Sequence, residues 1–415
     1  MSAFKTIQDV WDYLDKIPKF QDKGASASNF AIDNISKFCA LIGNPQDSYP
    51  SIHVAGTNGK GTTCYLLEAV YSKEGYKTGM FTSPHLIRYN ERFRISGKEV
   101  DDALILEFFN KYSNQLEECK LTFFEISTAL SFWLFAKEKV DIAIIETGLG
   151  GRLDSTNIVH PKACVITSIG LDHQDVLGNT EADIAREKAG IIKNETPVIL
   201  GNISDENEQV LIEIARSKKA PIYRSKDLAP VWDNGILSIE SGELVFNTQL
   251  KEEVNKWNIA SVLYVVKALK NEFPVSSSNL SEAIEIFSGA PARFEKLLSE
   301  KDWYFSGAHN TQALKSTLDT AKNISDKPLV IVFSMMKDKL NLETVELMKG
   351  CKQLYYHELS TERAAAINEV KDLVDAKEID KQSYKSIFKE FETSLVIFTG
   401  SFYFYSTVKR WVSNC

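Results

Sequence analysis

Cysteine is scarce in this 415-residue chain: Cys39, Cys64, Cys119, Cys164, Cys351 and Cys415, none in C-x-x-C spacing. That scatter argues against a cysteine zinc site and a disulfide framework, and fits reduced thiols in a cytoplasmic protein. Long apolar runs are missing too. None approaches the ~18 residues that a membrane span requires, so neither a transmembrane helix nor a membrane partner is expected. The opening residues carry Asp9, Asp12 and Asp15 and no signal-peptide core. Nor is there a basic excess. The chain has 48 Lys and Arg against 56 Asp and Glu, a net charge of −8, which argues against a general nucleic-acid surface and still allows a local basic pocket. No short-period repeat or low-complexity segment appears. What remains is a soluble globular chain, 44% hydrophobic and 25% charged, long enough for two or three domains.

The most informative stretch is HVAGTNGKGTTC, His53 to Cys64. An apolar lead (Pro50, Ile52, Val54) precedes it and an amphipathic run, Tyr65 to Glu74, follows, which predicts strand, glycine-rich loop, helix. Gly56, Gly59 and Gly61 allow a tight turn that presents backbone N–H groups to an anion, and the helix N-terminus adds to the attraction. Lys60 can reach the β- and γ-phosphates, and the hydroxyl of Thr62 or Thr63 can bind a phosphate oxygen or Mg²⁺. The loop departs from G-x-x-x-x-G-K-[ST]: Val54 replaces the first glycine and Gly61 separates the lysine from the threonine. A plain glycine turn between strand and helix is the simpler alternative.

Before this loop, residues 4–20 and 30–41 read as helices, with a polar loop from Gln21 to Asn29 between them. After it come a short strand (Thr78 to Thr82), a Ser83-Pro84-His85 break, and Arg88, Arg92 and Arg94, which can hold an anion or lie solvated on the surface. A helix from Asp101 to Glu118 precedes an apolar one entered by Glu125, whose plainer role is a first-turn carboxylate. Two nearly continuous apolar runs, 140–145 and 163–169, suit parallel strands buried on both faces. Ligands gather beyond the carboxyl ends of such strands. Glu146 and His173 lie just past them, as does the phosphate loop, and a carboxylate and an imidazole there can ligate a divalent metal beside a nucleotide. Residues 221–254 suggest a small β appendage, and Ser288 to Pro291 is the linker candidate before a second, smaller α/β domain. Boundaries of 1–289 and 290–415 follow.

With these residues laid out, the chain resembles the folylpolyglutamate synthase/dihydrofolate synthase family of the Mur ligase superfamily. The resemblance rests on GNPQ…HVAGTNGKGT, FTSPHL…NERF, TFFE, ETGLGGRLDSTN, SIGLDH, EKAGII, APARFE, SGAHN, SMMKDK and TGSFYF, in that order over most of the length. It implies an N-terminal P-loop domain with a mostly parallel sheet, a Rossmann-like C-terminal domain, and ATP in the cleft between them, with a hinge near Gly289 to Pro291. The loop Gly56, Thr57, Asn58, Gly59, Lys60, Gly61 and Thr62 matches the family's triphosphate cradle. Ser83, Glu146 and His173 match its magnesium positions, and Lys188 matches a lysine that is carbamylated and helps hold a second Mg²⁺. Asn258 matches the adenine-contacting asparagine and Arg293 the phosphate-contacting arginine. His309 and Ser401 fall where glutamate is held. Phe124, Glu125 and Asp154 match positions near the pterin, with the loop around Gly24 to Phe30 a further candidate. The family's DGAHNP reads Ser306-Gly307-Ala308-His309-Asn310-Thr311, so the aspartate used for the nucleotide ribose is a serine. Weaker ATP binding with the chemistry kept is the expectation, since a hydroxyl lacks a carboxylate's charge-assisted strength. Ala292 also replaces the usual glycine before the arginine.

The implied reaction is ATP-dependent addition of L-glutamate to dihydropteroate, a reduced folate, or both, by a monomer that binds no nucleic acid. Two rivals follow. A cell-wall Mur ligase usually carries a separate N-terminal domain for a UDP-sugar, and only 55 residues precede Gly56. A nucleotide- or folate-binding protein that has lost turnover has Ser306 as its support.

Overall fold

The computed structural model describes residues 4–18 and 31–414. The expected loop from Gln21 to Asn29 and the substrate candidate around Gly24 to Phe30 lie outside them. The chain forms two compact units, Met1–Thr248 with Asn255–Phe287, and Gln249–Val254 with Ser288–Cys415.

The first unit is built on strands β1 (Ser51–Ala55), β2 (Thr78–Phe81), β3 (Phe93–Ile95), β4 (Lys98–Glu99), β5 (Ile142–Glu146), β6 (Ala163–Ser168), β7 (Val198–Asn202) and β8 (Ile222–Arg224). They form one sheet in the order β4-β3-β2-β5-β1-β6-β7-β8. The six strands from β2 to β8 in that order are parallel, and β3 and β4 add an antiparallel edge. Every residue of β1, β5 and β6 is buried, which is why β5 and β6 read as nearly continuous apolar runs. An aromatic-rich core covers one part of the unit, from helices Ile7–Asp15, Asp33–Leu41, Asp102–Cys119 and Phe123–Glu138. A second core packs helices Glu181–Ala189 and Asp205–Ser217 against β6 and β7.

Residues 221–254 divide three ways rather than forming one appendage. β8 closes the edge of the large sheet. β9 (Val231–Asp233), β10 (Ile236–Ile239) and β11 (Leu244–Asn247) make a separate antiparallel sheet. Gln249–Val254 belongs to the second unit. Helix Ser277–Ile286 starts in polar sequence, because the Ser276 hydroxyl caps Asn279 N–H and the Glu74 carboxylate accepts from Ser276 N–H.

The second unit holds β12 (Glu295–Lys296), β13 (Trp303–Phe305), β14 (Leu329–Phe333), β15 (Gln353–Tyr356), β16 (Lys377–Glu378) and β17 (Leu395–Thr399), ordered β12-β13-β17-β14-β15-β16. All pairs but β12 with β13 are parallel. The short helix Ile367–Lys371 lies between β15 and β16, and helix Tyr384–Lys389 carries Tyr384 and Phe388 into an aromatic cluster with Trp411. Among the described residues no helix is long and apolar enough to cross a membrane. The five described cysteines are free thiols, and burial pushes Cys39 and Cys164 up to about 12.

Candidate active site

The phosphate loop leaves the central strand β1 and enters helix Lys60–Glu74. Two glycines make that passage possible. A Cβ on Gly56 would lie 1.9 Å from Thr167 Oγ1, and one on Gly59, at φ +90°, 2.6 Å from Asn258 Oδ1. The loop is tied down from β6: Thr57 N–H donates to Ser168 O at 2.9 Å, Asn58 N–H to Ser168 Oγ at 2.9 Å, and Thr167 Oγ1 to Asn58 O at 2.6 Å. Lys60 curls back so that Nζ donates to Gly56 O at 2.9 Å and Thr57 O at 3.3 Å. Thr63 donates its hydroxyl to Asn258 Oδ1 at 3.4 Å, so Asn258, from helix Asn255–Leu269, packs on the loop from 195 residues away. Thr62 is buried beside it at the start of the helix.

Parallel order does the rest. The sheet runs β2-β5-β1-β6, and the carboxyl ends of these four neighbours deliver, in turn, Ser83, Glu146, the phosphate loop and His173. Glu146 is the last residue of β5 rather than the first beyond it, and its carboxylate accepts Ser83 N–H at 3.1 Å. His173 stands five residues past β6 at φ +50°, with Nε2 3.8 Å from the buried Asp172 carboxylate. A hydroxyl, a carboxylate and an imidazole make a mixed, mostly oxygen donor set of the kind that suits Mg²⁺. Among the described residues no three His, Cys, Asp or Glu side chains gather as a separate metal cluster. Lys188, buried on helix Glu181–Ala189, donates Nζ to the same Gly56 carbonyl at 3.1 Å. Burial, then the neighbouring Lys60 charge, push its pKa down to about 7, against the pull of Asp172 and Asp154.

Of the pterin-side candidates, Phe124 lies against Gly148, where a Cβ would sit 2.4 Å from its ring. Glu125 is fully buried in a capping box: its carboxylate accepts Thr122 N–H at 2.8 Å and Oγ1 at 2.9 Å. Asp154 is buried and caps the turn Ser155–Ile158, accepting from Leu149 N–H at 2.8 Å and Thr156 N–H at 3.0 Å. Burial raises its pKa, and those hydrogen bonds oppose the rise. Behind it lies a residue that sequence reasoning passed over. His53, in the middle of β1, places Nε2 2.8 Å from Thr156 Oγ1, which in turn donates to Asp154. Burial drives the His53 pKa down to about 3, so the ring is neutral. The three arginines do not converge. Arg94 pairs with Glu68 at 3.0 Å, Arg88 is exposed, and Arg92 is buried with Nε donating to His85 Nδ1 at 2.8 Å.

In the second unit the candidates gather around Phe402, which no single-residue reading had picked out. The Arg293 guanidinium lies 4.0 Å over its ring, the His309 ring meets it edge-on at 5.5 Å, and a Cβ on Gly307 would collide with it at 1.8 Å. Ser401 positions that ring by capping the turn Phe402–Phe404. His309 Nδ1 lies 2.9 Å from Gly307 O. Ala292, before Arg293, sits at φ +57°, a left-handed conformation that glycine adopts without cost. Ser306 is buried just past β13, and its hydroxyl lies 2.8 Å from that of Thr317. Thr317 donates on to the Glu252 carboxylate at 3.2 Å. Burial raises the Glu252 pKa to about 7, against the Thr317 hydrogen bond and the Arg293 charge.

Comparison with known proteins identifies the family. Residues 54–265 match the Mur ligase middle domain, and residues 292–400 the Mur ligase glutamate ligase domain. The dihydrofolate synthase/folylpolyglutamate synthase of Bacillus subtilis is 32% identical over a 435-residue alignment covering 98% of this chain and 99% of that protein. Its Escherichia coli counterpart is 33% identical over 331 residues, 79% of this chain and 77% of that one. Among solved structures, a bifunctional folylpolyglutamate synthase/dihydrofolate synthase with Mn, AMPPNP and L-glutamate bound superposes with a TM-score of 0.87 at 28% identity, covering 100% of this chain and 99% of that one. E. coli FolC in complex with DHPP and ADP gives 0.86 at 29%, covering 99% and 98%. The chain belongs to the dihydrofolate synthase/folylpolyglutamate synthase family of Mur ligases.

Proposed function

We propose that this protein is an ATP-dependent ligase that joins L-glutamate to a carboxylate of dihydropteroate, of a reduced folate, or of both. The observation that carries the reading is the run of four neighbouring strand ends, which sets Ser83, Glu146, a glycine-cradled phosphate loop and His173 side by side. An acceptor carboxylate oxygen attacks the γ-phosphorus of ATP, giving an acyl phosphate and ADP. The amino group of glutamate then adds to the acyl carbon, and the tetrahedral intermediate expels phosphate and loses a proton to leave an amide.

Phosphoryl transfer needs charge neutralisation and alignment more than covalent help. The loop N–H groups, Lys60, Thr62 and Arg293 hold the triphosphate, and Asn258 the adenine. Lys60 leaves the Gly56 and Thr57 carbonyls when phosphate arrives. Ser83, Glu146 and His173 would hold a divalent metal, which would supply charge neutralisation for phosphoryl transfer. Lys188 is suited to carbamylation, because its depressed pKa leaves a large share of the amine neutral and nucleophilic toward CO₂ near pH 7, with one proton released as the N–C bond forms. The carbamate would help to hold a second Mg²⁺. His309 and Ser401 orient glutamate. Phe124, Glu125 and Asp154 line the pterin end, Glu125 and Asp154 by fixing backbone. The protein acts as a monomer on small molecules.

Phosphate release with ATP, Mg²⁺ and glutamate, compared between dihydropteroate and tetrahydrofolate, tests this. Turnover with one acceptor or with both supports the ligase and names its acceptor. Silence with both at saturating ATP rejects it in favour of a binding protein.

A further inference from the structure

Ser306, Thr317 and Glu252 form a relay of oxygens whose protons can be counted. With Glu252 ionised, the one hydroxyl hydrogen of Thr317 points to its carboxylate at 3.2 Å. The 2.8 Å contact between Ser306 and Thr317 then needs its hydrogen from Ser306. Ser306 Oγ is left with lone pairs and nothing to donate. It is buried at the carboxyl end of β13, with its N–H bonded to Phe398 O on β17. Gly307 next to it bonds Ala292 O, beside Arg293. A carboxylate at position 306 would present the same acceptor-only face.

We propose that Glu252 is a positioning residue for nucleotide binding: acting through Thr317, it holds the Ser306 oxygen as an acceptor for a hydroxyl of the nucleotide sugar. This rests on the reading that Ser306 faces the nucleotide. The serine has therefore not cost the site its acceptor, because the negative charge has moved 54 residues upstream in sequence (306 − 252) and two hydrogen bonds back in space. Weakened ATP binding, the expectation from the sequence alone, is not expected with the relay intact.

The test is ADP binding by titration calorimetry with Mg²⁺ at pH 8, where Glu252 is ionised. Thr317→Val and Glu252→Gln should each weaken ADP by about 3- to 10-fold, the size of one net hydrogen bond. In the unmodified protein, 2′-deoxy-ADP or 3′-deoxy-ADP should be weakened to the same degree, and the two variants should be indifferent to that deletion. Moving the carboxylate with the double variant Ser306→Asp/Glu252→Gln should restore affinity. Variants that bind ADP normally would overturn the relay. So would a loss that persists with the deoxynucleotides, which would place the Glu252 effect on Arg293, or an unmodified protein that tolerates both deoxynucleotides. Absence of any ADP binding by the unmodified protein would instead reject the nucleotide reading beneath it.

Discussion

The phosphate loop of the first unit and the turn around Arg293 in the second solve similar problems with different residues. In the loop, glycine stands where a side chain would collide, at Gly56 and Gly59. Around Arg293 the left-handed position is held by Ala292, and the hydroxyl at residue 306 is linked through Thr317 to the distant Glu252 carboxylate. The first region is constrained by backbone approach, which admits one residue type. The second is constrained by chemistry, which a relay of side chains can supply from elsewhere.

That contrast can be broken most severely at Lys60. Lys60→Ala should lower the rate of phosphate release by about 100- to 1000-fold, the loss typical of one transition-state donor, while the unfolding midpoint moves little. A protein that kept its rate would remove the loop from the chemistry. Next comes Gly56→Ala, which must displace Thr167 and with it the bond to Asn58 O. Denaturant unfolding should show a cost of about 1–3 kcal/mol, the range for overpacking a filled site.

His53 sharpens the first region further, through pH. Its pKa falls from 6.5 in the unfolded chain to about 3 in the fold. The unfolded state therefore binds the proton first, so the neutral ring's contribution is complete above pH 6.5 and is lost as pH falls toward 3. Replacement by Asn should flatten that acid limb of the stability curve, and an unchanged limb would reassign it to other groups. The smallest effect belongs to the second region. Ala292→Gly relieves a left-handed alanine at the expense of unfolded-state entropy and a buried methyl, so a net gain of at most about 1 kcal/mol is expected. A loss exceeding that would mean the methyl matters more than the backbone.

How far the molecule could be read in advance follows the same division. The parallel strands were legible because burial on both faces favours apolar residues almost throughout, as in Ile142–Glu146 and Ala163–Ser168. The loop was legible because Gly56, Gly59 and Lys60 fall within five consecutive residues. Helix Ser277–Ile286 was half-hidden because its capping partner, Glu74, is some 200 residues away. The His53–Thr156 and Thr317–Glu252 contacts span 103 and 65 residues and leave no local pattern at all. Phe402 sits within the quoted TGSFYF run, but only the fold shows it against Arg293, Gly307 and His309. Glu125 carried a first-turn signal and Asp154 none, and the structure gives each of them backbone to hold.

The most direct test of the proposed chemistry follows an oxygen atom. An acceptor labelled with ¹⁸O in its carboxylate should turn over with ATP and glutamate to give inorganic phosphate carrying one ¹⁸O, because the carboxylate oxygen that attacks the γ-phosphorus leaves with it. Amide formed with unlabelled phosphate would contradict the acyl-phosphate route and the assignment of the phosphate loop to it.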